Sequence, residues 1–147
     1  MFKIITIVII ICLDQFTKHW AIQKGPCEFL SFLNIVNLWN HGITFGIYQS
    51  IPAYIVIGAT VLIMLYIVWE LRGTKRKLDQ IAFSFILGGA LGNFIDRIRL
   101  GFVVDFLDFH IGTVHYPWPF NIADSFIICG IGLLILSHFL FKHHVRL

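Results

Sequence analysis

Four long apolar stretches constrain this chain more than any other feature of its sequence. They cover residues 4–22, 51–71, 80–98 and 122–141. Each is long enough to cross a hydrocarbon core of roughly 30 Å as a helix. Only 13% of the 147 residues are charged and 58% are hydrophobic, which excludes the mixed-charge surface of a soluble protein. The sequence therefore predicts an all-α integral membrane protein with four transmembrane helices in a single membrane domain, residues 1–147.

The basic residues predict the orientation of these spans. Seven of the eleven lysines and arginines precede the first span, separate the second from the third, or follow the fourth; they are Lys3, Arg72, Lys75, Arg76, Lys77, Lys142 and Arg146. Short cytoplasmic loops collect such residues, so we expect both termini in the cytoplasm and residues 23–50 and 99–121 outside. No basic patch suits nucleic acid, and the three cysteines have no metal-binding spacing.

The two outer segments differ from ordinary loops. Residues 29–48 are rich in β-branched and aromatic types, punctuated by Asn and Gly, and residues 101–111 have a similar composition. Such segments favour short strands and turns. Because they are so apolar, we expect them to lie on the bilayer surface.

Two spans carry polar residues at helical spacing. Asp14 and Lys18 are four residues apart in the first span, where they can form an ion pair. Asn93, Asp96 and Arg97 share one face of the third span. A charge at the centre of a membrane helix costs about 2.5–3.5 kcal/mol, so such residues face a partner or a wet cavity. Structural support is the simpler explanation of the Asp14–Lys18 pair.

Two aspartates lie at the edges of the third and fourth spans. Asp124 follows Asn121 by three residues, and a helix cap explains this spacing when Asp124 is considered alone. Asp105 lies in an apolar, strand-like run and has no such explanation. Asp108, three residues further on, fits an exposed turn.

If Asp105 and Asp124 meet, one ionised carboxylate can activate water while the other, protonated, donates to a scissile carbonyl. The helix N-terminus favours Asp124 as the ionised partner and Asp105 as the acid.

Several motifs resemble those of the bacterial lipoprotein signal peptidases, also called signal peptidase II, almost from end to end. The motifs are Leu13-Asp14-Gln15-Phe16-Thr17-Lys18, Asn40-His41-Gly42-Ile43-Thr44-Phe45-Gly46, Gly89-Ala90-Leu91-Gly92-Asn93-Phe94-Ile95-Asp96-Arg97, Gly101-Phe102-Val103-Val104-Asp105-Phe106 and Pro119-Phe120-Asn121-Ile122-Ala123-Asp124-Ser125.

The resemblance implies an aspartyl endopeptidase of the bacterial inner membrane with catalytic residues Asp105 and Asp124. Its polar supporting or substrate-binding residues fall on Asp14, Lys18, Asn40, Asn93, Asp96, Arg97 and Asn121. It further implies a small extracytoplasmic β-cradle and no metal or organic cofactor. The implied substrate is a diacylglyceryl-prolipoprotein, cut just before the lipidated cysteine at the extracytoplasmic face. Four spans suffice for a monomer among membrane lipids.

One departure from the family pattern is visible after Gly42. The family usually has two alanines there, whereas this chain has Ile43 and Thr44. Bulkier side chains at these positions are expected to alter the pocket or the cradle without touching the two aspartates.

Two alternatives remain open at this point. A small proton- or cation-handling transporter would explain buried charges without a peptide substrate, but transporter sites tend to lie at the midplane rather than at one face. A structural assembly subunit with ion-paired helices would predict that no single carboxylate matters much. His-Glu-x-x-His and Gly-x-Ser-x-Gly motifs of other protease classes are absent.

Overall fold

The computed structural model describes residues 1–42 and 53–142 of the chain. Within these residues the protein consists of four long helices and one antiparallel sheet, which confirms the predicted fold class. The helices are α1 (Phe2–Lys24), α2 (Ala53–Gly73), α3 (Lys77–Leu100) and α4 (Ile122–Lys142). All four are long and apolar enough to cross a membrane. Each predicted stretch is contained in one helix, except that residues 51 and 52 lie outside the described part. Ile43 and Thr44 also lie outside it.

Burial in this protein is the reverse of the soluble pattern. Large apolar side chains on the outer helix faces are exposed; Ile4, Leu62 and Phe139 each keep more than 60% of their accessible surface. Asp14 and Asn121, by contrast, are completely buried. An apolar exterior suits lipid, and a polar interior in such a protein indicates a functional site or an ion-paired support.

Helix α3 lies at the centre of the bundle and packs against α1, α2 and α4. Its contact with α1 depends on two glycines. A Cβ atom at Gly88 would lie 3.0 Å from the side chain of Ile10, and one at Gly92 would lie 2.5 Å from Asp14 Oδ2. The absence of side chains at Gly88 and Gly92 therefore lets α1 approach α3 closely, and this approach brings the polar face of α3 against Asp14.

Strands are present in the described parts of both segments that the sequence predicts to be strand-like, whereas residues 43–48 lie outside the described part. Strands β1 (Cys27–Leu30), β2 (Leu33–Asn40), β3 (Val103–Ile111) and β4 (Val114–His115) lie side by side in chain order, and every pairing is antiparallel. Strand β3 begins just after α3, across Gly101, whose φ of 81° is left-handed and favours glycine. This tight turn lays β3 directly over the end of α3.

A short pairing fastens the start of α4 to the sheet. The Phe120 N–H donates to the Leu107 carbonyl at 3.0 Å, and the Leu107 N–H donates to the Phe120 carbonyl at 2.8 Å. Phe120 immediately precedes Asn121 and the first turn of α4. The pairing therefore places Asp124 beside the strand that carries Asp105.

The prediction of an exposed turn at Asp108 is wrong. Asp108 lies within β3 and is only 8% exposed. Its Oδ2 lies 2.9 Å from His115 Nδ1 and 3.4 Å from Asn34 Nδ2, on the two strands that flank β3. Burial of this carboxylate is tolerated because both neighbouring strands supply polar partners.

Candidate active site

Asp105 and Asp124 line one cleft of about 380 Å³ between α2 and α4. Its polar end also contains Asn40, Asn93 and Arg97. The rest of the lining is mainly apolar and comes chiefly from α2, α3 and α4; it includes Val56, Ala59, Ile63, Ile67, Ile86, Ala90 and Ile127. The cleft thus has a polar end that contains two carboxylates and an apolar remainder that extends between the helices.

Asp105 is held by two asparagines and is 2% exposed. Asn40, at the end of neighbouring strand β2, donates through Nδ2 to Asp105 Oδ2 at 2.8 Å. Asn121 donates through Nδ2 to Asp105 Oδ1 at 2.7 Å. Each carboxylate oxygen therefore has one amide donor, which sets the plane of the carboxyl group.

Asp124 forms a reciprocal cap with Asn121, as the sequence predicts. The Asp124 N–H donates to Asn121 Oδ1 at 2.9 Å, and the Asn121 N–H donates to Asp124 Oδ2 at 3.3 Å. Asp124 Oδ1 also accepts a hydrogen bond of 2.8 Å from Asn93 Nδ2. The cap and the cleft use the same side chain, and Asn121 contacts both aspartates.

Burial raises the pKa of Asp105 to about 7, and the nearby negative charge of Asp124 adds to this increase. The hydrogen bonds from Asn40 and Asn121 and the positive charge of Lys18 act in the opposite direction. A substantial fraction of Asp105 side chains is therefore protonated near neutral pH. A protonated and an ionised carboxyl group can consequently share this cleft.

Lys18 lies at the centre of a buried polar cluster beneath the two aspartates. Its Nζ is 2.9 Å from Asp14 Oδ2, 2.8 Å from Asp96 Oδ2 and 2.9 Å from Asn93 Oδ1. The Asp14–Lys18 pair that the sequence predicts is confirmed, and Asp96 of α3 joins it. We call Asp14, Lys18, Asn93 and Asp96 the lysine cluster.

The lysine cluster reaches the backbone on both sides of the cleft. Asp14 Oδ1 accepts a hydrogen bond of 2.9 Å from the N–H of Ala123, which immediately precedes Asp124. Asp96 Oδ2 accepts one of 3.2 Å from the N–H of Val104, which immediately precedes Asp105. The cluster therefore ties both aspartate-bearing segments to α1 and α3.

Arg97 and Gln15 complete the polar surroundings. Arg97 lines the cleft, interacts electrostatically with Asp105 and Asp124, and donates through Nη2 to the Gly42 carbonyl at 3.2 Å. Gln15, which sequence reasoning left out of the candidate residues, donates through Nε2 to Asp96 Oδ1 at 2.9 Å and lies 3.2 Å from Asp14 Oδ2. Its position next to Asp14 in the first motif is the sequence signal for this role.

A helical membrane protein with two neighbouring carboxylates in an internal cleft has the parts of a membrane-embedded hydrolase. The family model described as signal peptidase (SPase) II matches residues 6–140. The chain belongs to this family, and it is therefore a protease of the membrane. Membership in this family argues against the two alternative functions, a small transporter and a structural assembly subunit.

Relatives and solved structures agree with this assignment. The chain is 38% identical over 141 residues to the lipoprotein signal peptidase of Francisella tularensis subsp. novicida (strain U112), covering 88% of this chain and 86% of the relative. It is 32% identical over 145 residues to the lipoprotein signal peptidase of Bartonella henselae, and the match covers 95% of this chain and 89% of the relative. A bacterial membrane enzyme solved by the in meso method at 2.3 Å resolution matches with a TM-score of 0.86 and 32% identity, covering 98% of this chain and 91% of that one.

Proposed function

We propose that this protein is an aspartyl endopeptidase that removes the signal peptide from diacylglyceryl-modified prolipoproteins, cutting just before the lipidated cysteine. Family membership supports prolipoproteins as the substrate class. The observation that carries the catalytic type is the pair Asp105 and Asp124, which line one cleft and are bridged by Asn121.

In the proposed reaction, ionised Asp124 takes a proton from water while the water oxygen attacks the scissile carbonyl carbon. Protonated Asp105 donates its proton to the carbonyl oxygen. The resulting tetrahedral intermediate collapses as the C–N bond breaks, and the leaving nitrogen takes the proton that Asp124 holds. The hydroxyl proton of the intermediate returns to Asp105. Two features support this division of roles: the raised pKa of Asp105, and the position of Asp124 in the first turn of α4, where the helix N-terminus favours a negative charge.

The remaining polar residues are proposed to position this pair and the substrate. Asn40, Asn93 and Asn121 orient the carboxyl groups through their amide donors. Arg97 extends the polar end of the cleft, where it is placed to bind a substrate carbonyl. Asp14, Lys18 and Asp96 act through the backbone they hold rather than on the substrate.

The orientation of the protein is part of the proposal. Asp105 follows the end of α3 and Asp124 begins α4, so both lie at the same end of the bundle. The distribution of basic residues supports an orientation in which that end faces the extracytoplasmic side of the bacterial inner membrane and both termini lie in the cytoplasm. A diacylglyceryl group in the outer leaflet would hold the scissile bond at this depth, so the bilayer itself helps to position the substrate.

We propose that the protein acts as a monomer in contact with membrane lipids.

Cleavage of a synthetic signal peptide tests the proposed function directly. We expect the purified, detergent-solubilised protein to cut a peptide carrying a diacylglyceryl cysteine, and mass spectrometry to place the cut before that cysteine. The same peptide without the acyl chains should remain intact, because nothing then holds its scissile bond at the depth of the aspartates. A folded protein that cuts neither peptide, or both at equal rates, would contradict the proposal.

The pH profile of cleavage tests the assignment of Asp105 as the acid. Asp105 is mostly protonated below its pKa of about 7 and mostly ionised above it. We therefore expect kcat/KM to fall about tenfold per pH unit above this value, as the competent form of the pair disappears. Asn40→Ala should move the falling limb to higher pH, because the Asn40 amide stabilises the ionised form of Asp105. A flat or rising profile over roughly two pH units above the pKa of Asp105 would contradict the assignment.

A further inference from the structure

A second cavity of about 650 Å³ borders α4. We call it the α4 groove. Its lining is predominantly apolar and comes from β3, from the segment between β4 and α4, and from the first turns of α4. It includes Phe109, Tyr116, Phe120, Ile128, Cys129 and Ile131. Phe120, Asp124 and Ile127 line both the groove and the cleft. Asp124 therefore borders both cavities.

We propose that the α4 groove binds an acyl chain of the diacylglyceryl cysteine, a proposal that rests on the proposed function. Such a substrate has apolar parts of two kinds, the signal peptide and the acyl chains, and both begin within a few bonds of the scissile bond. Their apolar surfaces gain free energy by leaving water together with apolar protein surface. Because the groove and the cleft share Asp124, a scissile bond at that residue can send one part into each cavity.

The extent of each cavity along the helices indicates which cavity suits the signal peptide and which suits an acyl chain. The cleft includes Arg97 and Ile86 of α3, which are eleven residues apart and so about 16 Å apart along the helix. The groove follows α4 only from Asp124 to Ile131, about 10 Å. A signal peptide must continue across the membrane and needs the deeper path. An acyl chain needs only a binding surface near its attachment point, since its remainder can lie in lipid.

The chemistry of the groove also favours an acyl chain over a peptide. A peptide backbone buried there would need hydrogen-bond partners for its N–H and C=O groups. The hydroxyl of Ser125, a polar group in the lining, already donates to the Asn121 carbonyl at 3.1 Å. An acyl chain has no such requirement.

Cys129 makes occupancy of the groove measurable. Cys12, Cys27 and Cys129 are the three cysteines of the chain, and Cys12 and Cys129 are both exposed. One protein retains Cys129 alone and its matched control retains Cys12 alone, with the other cysteines changed to alanine. Both carry Asp105→Asn, so that bound peptide stays intact, and binding is measured by fluorescence anisotropy. We expect a bound dipalmitoyl peptide to slow alkylation of Cys129 by a membrane-soluble maleimide about tenfold and to leave Cys12 unaffected.

Two tryptophan variants test the groove by activity. Ile128 and Ile135 lie two turns apart on one face of α4 and are 59% and 54% exposed, but only Ile128 lines the groove. Ile128→Trp should lower the ratio of kcat/KM for the dipalmitoyl peptide to that for a dibutyryl peptide about tenfold. Ile135→Trp should leave this ratio unchanged. Thermal unfolding of both variants checks that each is folded.

The outcomes separate the groove from the proposed function. If the wild type cleaves the lipidated peptide but Cys129 is not protected by bound peptide and Ile128→Trp keeps the wild-type ratio, the groove proposal alone is overturned. Slow alkylation of Cys129 that does not depend on the peptide identifies a detergent or membrane-lipid chain as the occupant and also overturns it. Without cleavage by a folded wild type, the proposed function fails and the groove proposal with it.

Discussion

Asp105→Asn and Asp124→Asn should each abolish cleavage of the lipidated peptide, with a loss in kcat of about 10⁴-fold. Asparagine keeps the size of the side chain and one of its two acceptor oxygens, but it cannot exchange a proton with water or with the scissile carbonyl. Because the two carboxyl groups act as one unit, either substitution alone should cost about as much as both together. Initial rates with excess lipidated peptide measure the effect.

Asp108→Asn provides the matched control for this prediction. Asp108 lies on the same strand as Asp105 and is likewise buried, but it does not line the cleft. Its variant should cleave at nearly the wild-type rate, and all three variants should retain the four-helix fold by circular dichroism. Substantial turnover by Asp105→Asn or Asp124→Asn would show that the reaction does not depend on this pair.

The helices were predictable because their signal is local. A run of about 20 apolar residues specifies a span without reference to any other part of the chain. Strand composition was also visible in the outer segments, but the burial of Asp108 was not. Its partners Asn34 and His115 lie on different strands, so its environment depends on pairings that no local pattern encodes.

The site was predictable in its parts and less so in its connections. The i, i+4 spacing of Asp14 and Lys18 indicated an ion pair, which the structure contains. The addition of Asp96 to this pair depends on how α1 and α3 pack at Gly92, where a side chain would collide with Asp14. Sequence spacing within one helix carries no information about that contact.

Asn121 illustrates the same limit within a single residue. Its position three residues before Asp124 predicted a helix cap, and the cap is present. Its second bond, to Asp105, arises because Phe120 pairs with Leu107 and lays the start of α4 beside β3. The same residue is therefore both a helix cap and a link between the two aspartates.

Lys18→Met should lower the free energy of unfolding by about 3–5 kcal/mol, because it removes the cation from two buried carboxylates. Asp14 is completely buried and Asp96 is 3% exposed. Water therefore cannot solvate either carboxylate in place of Lys18 unless the protein opens locally. Activity should also fall, although less than in the aspartate variants, since Asp14 and Asp96 hold the backbone of Ala123 and Val104. Chemical unfolding in detergent and cleavage of the lipidated peptide measure the two effects.

Two further variants distinguish loss of the buried cation from loss of any lysine on α1. Lys24→Met, at the exposed end of the same helix, should change stability by at most about 0.5 kcal/mol. Adding Asp96→Asn to Lys18→Met should restore part of the lost stability, because one of the two uncompensated charges is then removed. If Lys18→Met were as stable as Lys24→Met, or if Asp96→Asn destabilised it further, Lys18 would not be the charge that holds Asp14 and Asp96 together beneath the cleft.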